Sequence, residues 1–432
     1  MTTRFRALAP RMPRVLTTIS LAAALGVAAP RAAMAANVVV EWNATAISTA
    51  LAVGQGPVPQ TRAMAIVAVA VNDAVNAITG KYPTYAATPT PPSGASADAA
   101  AIGAAHQALL LLYPSQAGSL DAAATASLSD HGLSPSDPGV GFGETVAEAV
   151  FASRVNDGST LAQFPFTAPG AGSPGVWVPT PPANLPALLP GWGLTQTWVL
   201  QSGSQFRPEE GPSLTSDAYT RDFNELKELG SLTSATRTTE QTNIARFWLT
   251  SAAVIWDGVL RQVAIARDLD TSATAHALAL VNLAGADAAI ACWDAKYTFN
   301  FWRPITAIRN ADGDGNPETA ADPTWSPLMP TPNFPEFVSG HTTISGAMAT
   351  MLALLFGDDA GVSLTVTSPT NPGFVRTWSR FSQGIAEVID ARVWTGFHFR
   401  SSDVSGAQLG RQVARFVFEH ALSRSSEYGR NR

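Results

Sequence analysis

Lys296-Tyr-Thr-Phe-Asn-Phe-Trp-Arg303-Pro304, Val338-Ser339-Gly340-His341 and Arg392-Val-Trp-Thr-Gly-Phe-His398 are the three stretches around which the chain is organised. Charged residues make up only 14% of the chain, yet three cations and two histidines recur in these short clusters. A segment rich in Ala, Val, Leu and Trp has little reason to bury Lys and Arg unless an anion neutralises them. The clusters therefore predict a preorganised site for a tetrahedral or trigonal-bipyramidal oxyanion.

Each cluster suggests a local geometry. Lys296 and Arg303 are seven residues apart, which on one helix returns to nearly the same face, and Pro304 would end or kink that helix. An ammonium and a guanidinium on successive turns form a two-pronged oxyanion clamp. The alternative is a solvated face with snorkelling cations, and the aromatic neighbours Trp293, Phe299 and Trp302 argue against it. Ser339 suits a helix N-cap, Gly340 lets backbone approach a ligand, and the helix start offers free N–H groups to an anion. His341 would stand beside that anion for acid–base work, although taken alone the turn reads better as a hydroxyl cap followed by a buried structural histidine. Gly396 breaks the helix between Arg392 and His398, so both can converge, with a neutral imidazole nitrogen free to ligate a metal-like centre or attack phosphorus. His106, His131, His276 and His420 have no comparable neighbours and read as structural or surface residues.

The rest of the chain is read as all-α, two helical bundles packed together. Apolar periodicity predicts helices over 61–78, 97–113, 115–128 and 144–156, then 216–229, 238–248, 252–269, 273–299, 339–355, 377–393 and 402–422. Strand-like alternation is confined to 38–42 and 362–366. Residues 163–211 are rich in Pro and Gly with Trp177, Trp192 and Trp198, too aromatic for a linker, and read as an ordered excursion over the surface and the site mouth. The expected division is a signal peptide at 1–36, an N-terminal bundle at 37–230 containing the excursion, and a C-terminal catalytic bundle at 231–432.

Residues 1–36 combine Arg4, Arg6, Arg11 and Arg14 with an apolar stretch from Leu16 to Ala29 and a small-residue cleavage pattern, Ala33-Met34-Ala35. That is the pattern of a secretory signal, so the protein is expected to be exported, periplasmic or extracellular. Cleavage removes five of the 27 basic residues, leaving 22 against 33 acidic ones, a net charge of −11 that disfavours nucleic acid. The single Cys292 can form no internal disulfide. No later run is expected to reach the ~20 apolar residues of a membrane span. A homo-oligomer is compatible with the sequence.

Taken together, Lys-x6-Arg-Pro, Ser-Gly-His and Arg-x5-His in this order resemble the superfamily of vanadium-dependent haloperoxidases and type-2 phosphatidic-acid phosphatases, and specifically its exported bacterial haloperoxidase-like branch. Supporting stretches are 62–78, 177–181 with Phe206-Arg207-Pro208, 224–230, Phe247-Trp248 and 291–309. The resemblance implies a vanadium haloperoxidase/acid phosphatase-like fold in which Lys296, Arg303, Ser339, Gly340 and Arg392 hold the equatorial oxygens of vanadate. His398 would be the axial vanadium ligand, His341 the acid–base residue, and Trp293 and Phe334 the walls of a halide pocket. The implied reaction uses hydrogen peroxide to oxidise a halide to hypohalous acid. A phosphatase acting on a phosphate ester, with His398 as nucleophile and a phosphohistidine intermediate, uses the same pocket, and a non-catalytic oxyanion-binding protein would keep it without chemistry.

The sequence departs from the family pattern in that Ser402, not Asp, lies four after His398, and no acid follows Phe247-Trp248 before Asp257. It therefore assigns the ligand histidine no carboxylate partner. Asp312-Gly-Asp314-Gly-Asn316 imitates a calcium loop, but Pro323 stands where the bidentate Glu belongs. A polar turn is the stronger reading there and calcium the weaker.

Overall fold

The computed structural model describes residues 37–86, 88–209 and 211–422. The expected export signal at 1–36 lies outside them. The described residues form one compact unit. It is mostly helical, with a single two-stranded sheet among the described residues.

Five helices open the chain: α1 (Val38–Ala52), α2 (Pro57–Thr79), α3 (Ala97–Leu112), α4 (Ala117–Asp130) and α5 (Pro138–Ser153). The alternation at 38–42 that suggested a strand is the start of α1. Asn37 caps it by accepting a hydrogen bond from the Val39 N–H, and Val38, Val39 and Trp42 are buried. Here side-chain capping and burial outweigh β-branched propensity. After the irregular excursion come α6 (Asp217–Leu229), α7 (Thr239–Phe247), α8 (Ala252–Ala266), α9 (Thr271–Phe299), α10 (Pro304–Arg309) and α11 (Gly340–Phe356). Strand β1 (Asp359–Thr367) then pairs antiparallel with β2 (Val375–Arg380), and α12 (Phe381–Trp394) and α13 (Arg400–His420) complete the fold. The helix expected from 377 starts at Phe381, because β1 claims the preceding residues as its ladder partner and Trp378 stacks on Trp248 and Trp256 at 5.7 and 6.0 Å.

Helix α9 is the central strut, buried along nearly its whole length and packed against α2, α11 and α13. It and α2 are long and apolar enough to cross a membrane, which corrects the expectation that no such run exists. Both bury most of their apolar surface inside the protein, 94% and 83% of the relevant windows. Ala-rich helices can do this because small side chains let neighbours cover them on every face. Between α11 and α13 the approach is closer still, since a Cβ on Gly410 would sit 2.1 Å from the Thr343 carbonyl oxygen. That contact sets the distance between the Ser339–His341 turn and the segment beginning at His398.

The described residues of the excursion, 163–209 and 211, are tied down by backbone pairing. Trp177 N–H donates to Asn300 O (2.7 Å), Trp302 N–H to Gly175 O (2.9 Å), and Leu188 N–H to Asn333 O (2.9 Å). Its strongest anchor is Asp287 on α9, whose fully buried carboxylate accepts from three successive N–H groups, Trp198, Val199 and Leu200, at 2.7–2.9 Å. Asp287→Ala would leave those amides without their acceptor in a dry environment. It should destabilise the fold by ~3–5 kcal/mol, the scale for removing a buried charged partner. Urea unfolding should show the loss, and limited proteolysis should cut first within 163–211.

Candidate functional site

Lys296 and Arg303 do come together, but not on one helical face. Asn300 takes a left-handed conformation (φ 50°) that ends α9, and the chain reverses so that Arg303 becomes the N-cap residue of α10. Asn tolerates that conformation better than most residues, whereas a continuous helix would have aligned the two by spacing alone. Ser339 is the N-cap residue of α11 by backbone position, yet its hydroxyl makes no capping bond. Arg392 lies in the last turn of α12. His398 follows a turn at Gly396, whose φ of 78° and 2.7 Å clearance to Gly230 O leave no room for a side chain.

All three cations are buried, and backbone oxygens satisfy much of their hydrogen bonding. Lys296 Nζ donates to Pro335 O (3.0 Å) and Glu336 O (2.8 Å). Arg303 donates from Nε to Phe334 O (2.7 Å) and from Nη1 to Phe397 O (3.0 Å). Arg392 Nη1 donates to Trp248 O (3.0 Å). The donors left over are Arg303 Nη2 and Arg392 Nε, which are buried without a hydrogen-bond partner, while the Ser339 hydroxyl has only the buried Asp403 carboxyl beside it. Gly340 N–H sits at the first helical position of α11, where no intrahelical acceptor exists. Orphaned donors of this kind are costly unless a ligand meets them.

His398 is fixed on both sides. Its Nδ1 lies 2.8 Å from Glu336 Oε1 and its Nε2 lies 3.2 Å from Arg303 Nη1. A guanidinium can only donate, so Nε2 accepts and the ring proton sits on Nδ1, donated to the carboxylate. Burial lowers the imidazole well below its ordinary value, and Arg303, Lys296 and Arg392 push it the same way, so it is neutral with a lone pair facing the cations. The ring of His341 is edge-on to Trp248 at 5.3 Å. Its Nε2 is 2.9 Å from Thr250 O and its Nδ1 3.1 Å from Ser345 Oγ, while burial lowers its pKa to about 3. Burial also lowers Lys296 to about 7, Arg303 to about 9 and Arg392 to about 10, and raises Glu336 to about 7.

A cavity of about 290 Å³ opens beside this cup, walled by Trp293, Phe334, Leu188, Ile344 and Phe397 and reached by Gly340, His341, Arg392 and His398. Trp293 and Phe334 lie 4.9 Å apart, and the Phe334 ring also faces Lys296 Nζ (5.1 Å) and the Arg303 guanidinium (4.7 Å). The three sequence clusters thus meet at one place. This convergence and the similarities that follow support the vanadium haloperoxidase superfamily. Residues 276–427 match the family described as the VCPO second helical-bundle domain. The vanadium chloroperoxidase of Curvularia inaequalis is 36% identical over 97 residues, 20% of this chain and 15% of that protein's length. A bacterial vanadium-dependent iodoperoxidase structure is similar over 89% of this chain and 97% of its own, with a TM-score of 0.78 and 27% identity. A holo-type bacterial vanadium-dependent chloroperoxidase shares the fold, with a TM-score of 0.67 and 20% identity over 84% of this chain and 92% of its own.

Within this superfamily site, Glu336 is the residue that sequence reasoning missed. A lone acid in the apolar run Asn333-Phe-Pro-Glu-Phe-Val338 was the available signal. Asp257, the first acid after Phe247-Trp248, instead accepts from Asn43 (3.2 Å) and Asn282 (3.0 Å). The turn at 312–316 is tied to its surroundings, with Asp314 accepting from Asn316 N–H and Thr319 Oγ1, and Asn316 donating to Leu214 O and Thr220. Among the described residues no cluster of three or more His, Cys, Asp or Glu side chains could hold a metal ion.

Lys296 offers a test of oxyanion binding. Its folded value of about 7 lies below the ordinary 10.5, so between those limits the unfolded chain keeps a proton the native protein has released. Native stability from this group therefore rises with pH across that window, and an anion that restores the ammonium reverses the effect. Molybdate binding at pH 8 should take up ~1 proton, counted by calorimetry in buffers of different ionisation heat. Glu336 contributes in the same sense, so the part lost in Lys296→Met isolates the lysine.

Proposed function

We propose that the protein is an exported vanadate-dependent haloperoxidase that uses hydrogen peroxide to oxidise halide to hypohalous acid. The observation carrying this reading is the pair of partnerless buried donors, Arg303 Nη2 and Arg392 Nε, gathered with the Ser339 turn around a neutral His398. A dry cup of excess positive charge with a lone-pair nitrogen at its base is chemically suited to a vanadate oxyanion.

In this reading Lys296, Arg303, Ser339, Gly340 N–H and Arg392 would hold the oxygens of vanadate, and His398 Nε2 would supply a nitrogen ligand to it. Bound vanadate supplies a Lewis-acidic vanadium(V) centre that makes an oxygen of peroxide electrophilic toward halide. The cations stabilise the negative charge with little rearrangement beyond Arg303 Nη1 giving up its contact with His398 Nε2, because backbone carbonyls already fix their positions. His341 holds or moves a proton at the open side of the cup. To do so it exchanges its contact with Thr250 O or Ser345 Oγ for one to an oxygen of the bound group. Trp293 and Phe334 exclude water from the halide. The apolar cavity wall supports a second reading, a phosphatase whose ester carries an apolar group against Leu188 and Ile344.

The similar chloroperoxidase and iodoperoxidase are named for different halides, so chloride, bromide and iodide all belong in the assay. Purified protein with vanadate, peroxide and chloride, bromide or iodide should turn over a halogenatable dye. In His398→Ala turnover should fall by more than ~100-fold, since even the outer partners of a metal ligand are worth ~10–100-fold. Release of p-nitrophenol from p-nitrophenyl phosphate, inhibited by vanadate and without halide-dependent turnover, would replace this reading with the phosphatase.

A further inference from the structure

We infer that Glu336 is the positioning residue for His398, supplying from the loop before α11 the carboxylate that the position four after the histidine lacks. The inference rests on His398 being the nitrogen ligand of the oxyanion site.

Three contacts carry it. Glu336 Oε1 accepts from His398 Nδ1 at 2.8 Å and from Phe399 N–H at 3.1 Å, so one oxygen holds both the ring and the backbone of the adjoining residue. Glu336 O accepts from Lys296 Nζ at 2.8 Å, and Glu336 N–H donates to Phe301 O at 2.9 Å. A single fully buried residue thus joins the end of α9, the turn that delivers Arg303 and the start of α13. With the ring proton committed to Oε1, Nε2 must present its lone pair to the cup. A carboxylate partner also makes that nitrogen a stronger donor to a metal. No other carboxylate takes this role: Ser402 occupies the fourth position, and the ring of His398 bonds to Glu336 and Arg303 and not to the buried Asp403.

The role separates from two simpler ones by ligand choice. If Glu336 acted only through its charge, removing it would tighten every oxyanion. If it only held the fold, removing it would weaken every oxyanion. A positioning residue affects ligands that bond to nitrogen and spares those that do not. Vanadate expands its coordination to take a nitrogen, whereas sulfate stays tetrahedral.

Equilibrium dialysis of Glu336→Leu should show vanadate affinity reduced ~10–100-fold while sulfate affinity is unchanged or tighter. In Glu336→Gln the Phe399 N–H keeps the amide oxygen turned toward Nδ1, so vanadate affinity should stay closer to wild type than in the leucine variant. Nitrogen-15 spectra of the ligand-free protein, with His398 assigned by difference from His398→Ala, should show the proton on Nδ1 in wild type and Glu336→Gln. That preference should be lost in Glu336→Leu. Vanadate and sulfate weakening together, or vanadate unchanged in Glu336→Leu, would overturn the inference. If wild type binds vanadate no better than sulfate, the haloperoxidase reading fails instead, and the ring spectra then decide the role of Glu336.

Discussion

Burial of Lys296, Arg303 and Arg392 within one small region is the constraint that the rest of the structure serves. Each ion loses its hydration, and the few acids in a largely apolar interior do not make up for it. The chain answers with backbone carbonyls from 334–336, 397 and 248, which satisfy part of each cation's hydrogen-bonding capacity without cancelling its charge. The two nearby carboxyl groups compensate weakly, because burial favours the protonated form of Glu336 and Asp403. Positive charge and unused donors therefore remain in the folded protein, held by a frame that does not relax around them.

That frame explains features with no direct chemistry. The stacked Trp248, Trp256 and Trp378 fill the space behind Arg392 and the wall beside His341, and Trp248 O is the Arg392 acceptor. Close approach of α11 to α13 at Gly406 and Gly410 brings the Ser339 turn against the segment after His398, and Ser339 N–H donates to Ser402 O. Asp287 and the pairings at Trp177 and Leu188 hold the excursion against α9, where Leu188 O also accepts from Tyr297 Oη and becomes one wall of the cavity. Rigidity of this kind is what a preorganised oxyanion cup requires.

Glu336 connects the electrostatic frame to the histidine. Its backbone serves the lysine and its side chain serves the imidazole, so displacement of the 334–338 loop would disturb charge and ligand orientation together. The structure thereby provides the carboxylate–imidazole contact despite Ser402 at the family's acid position.

The all-α class, most helix positions and the membership of the three clusters were legible in the sequence, because they follow from apolar periodicity and from the improbability of buried cations without a ligand. What only the tertiary structure decided are the places where non-local partners override local preference. Residues 38–42 became helix through capping and burial, and 375–380 became a strand because β1 lay alongside. Lys296 and Arg303 converge by a chain reversal at Asn300, although spacing suggested a shared helical face. The partnership of Glu336 with His398 spans 62 residues and depends on a loop conformation, so no local pattern encodes it. Spacing within an element reports which residues can be neighbours along it, while the direction of a side chain across elements is set by turns and packing that emerge only when the core closes.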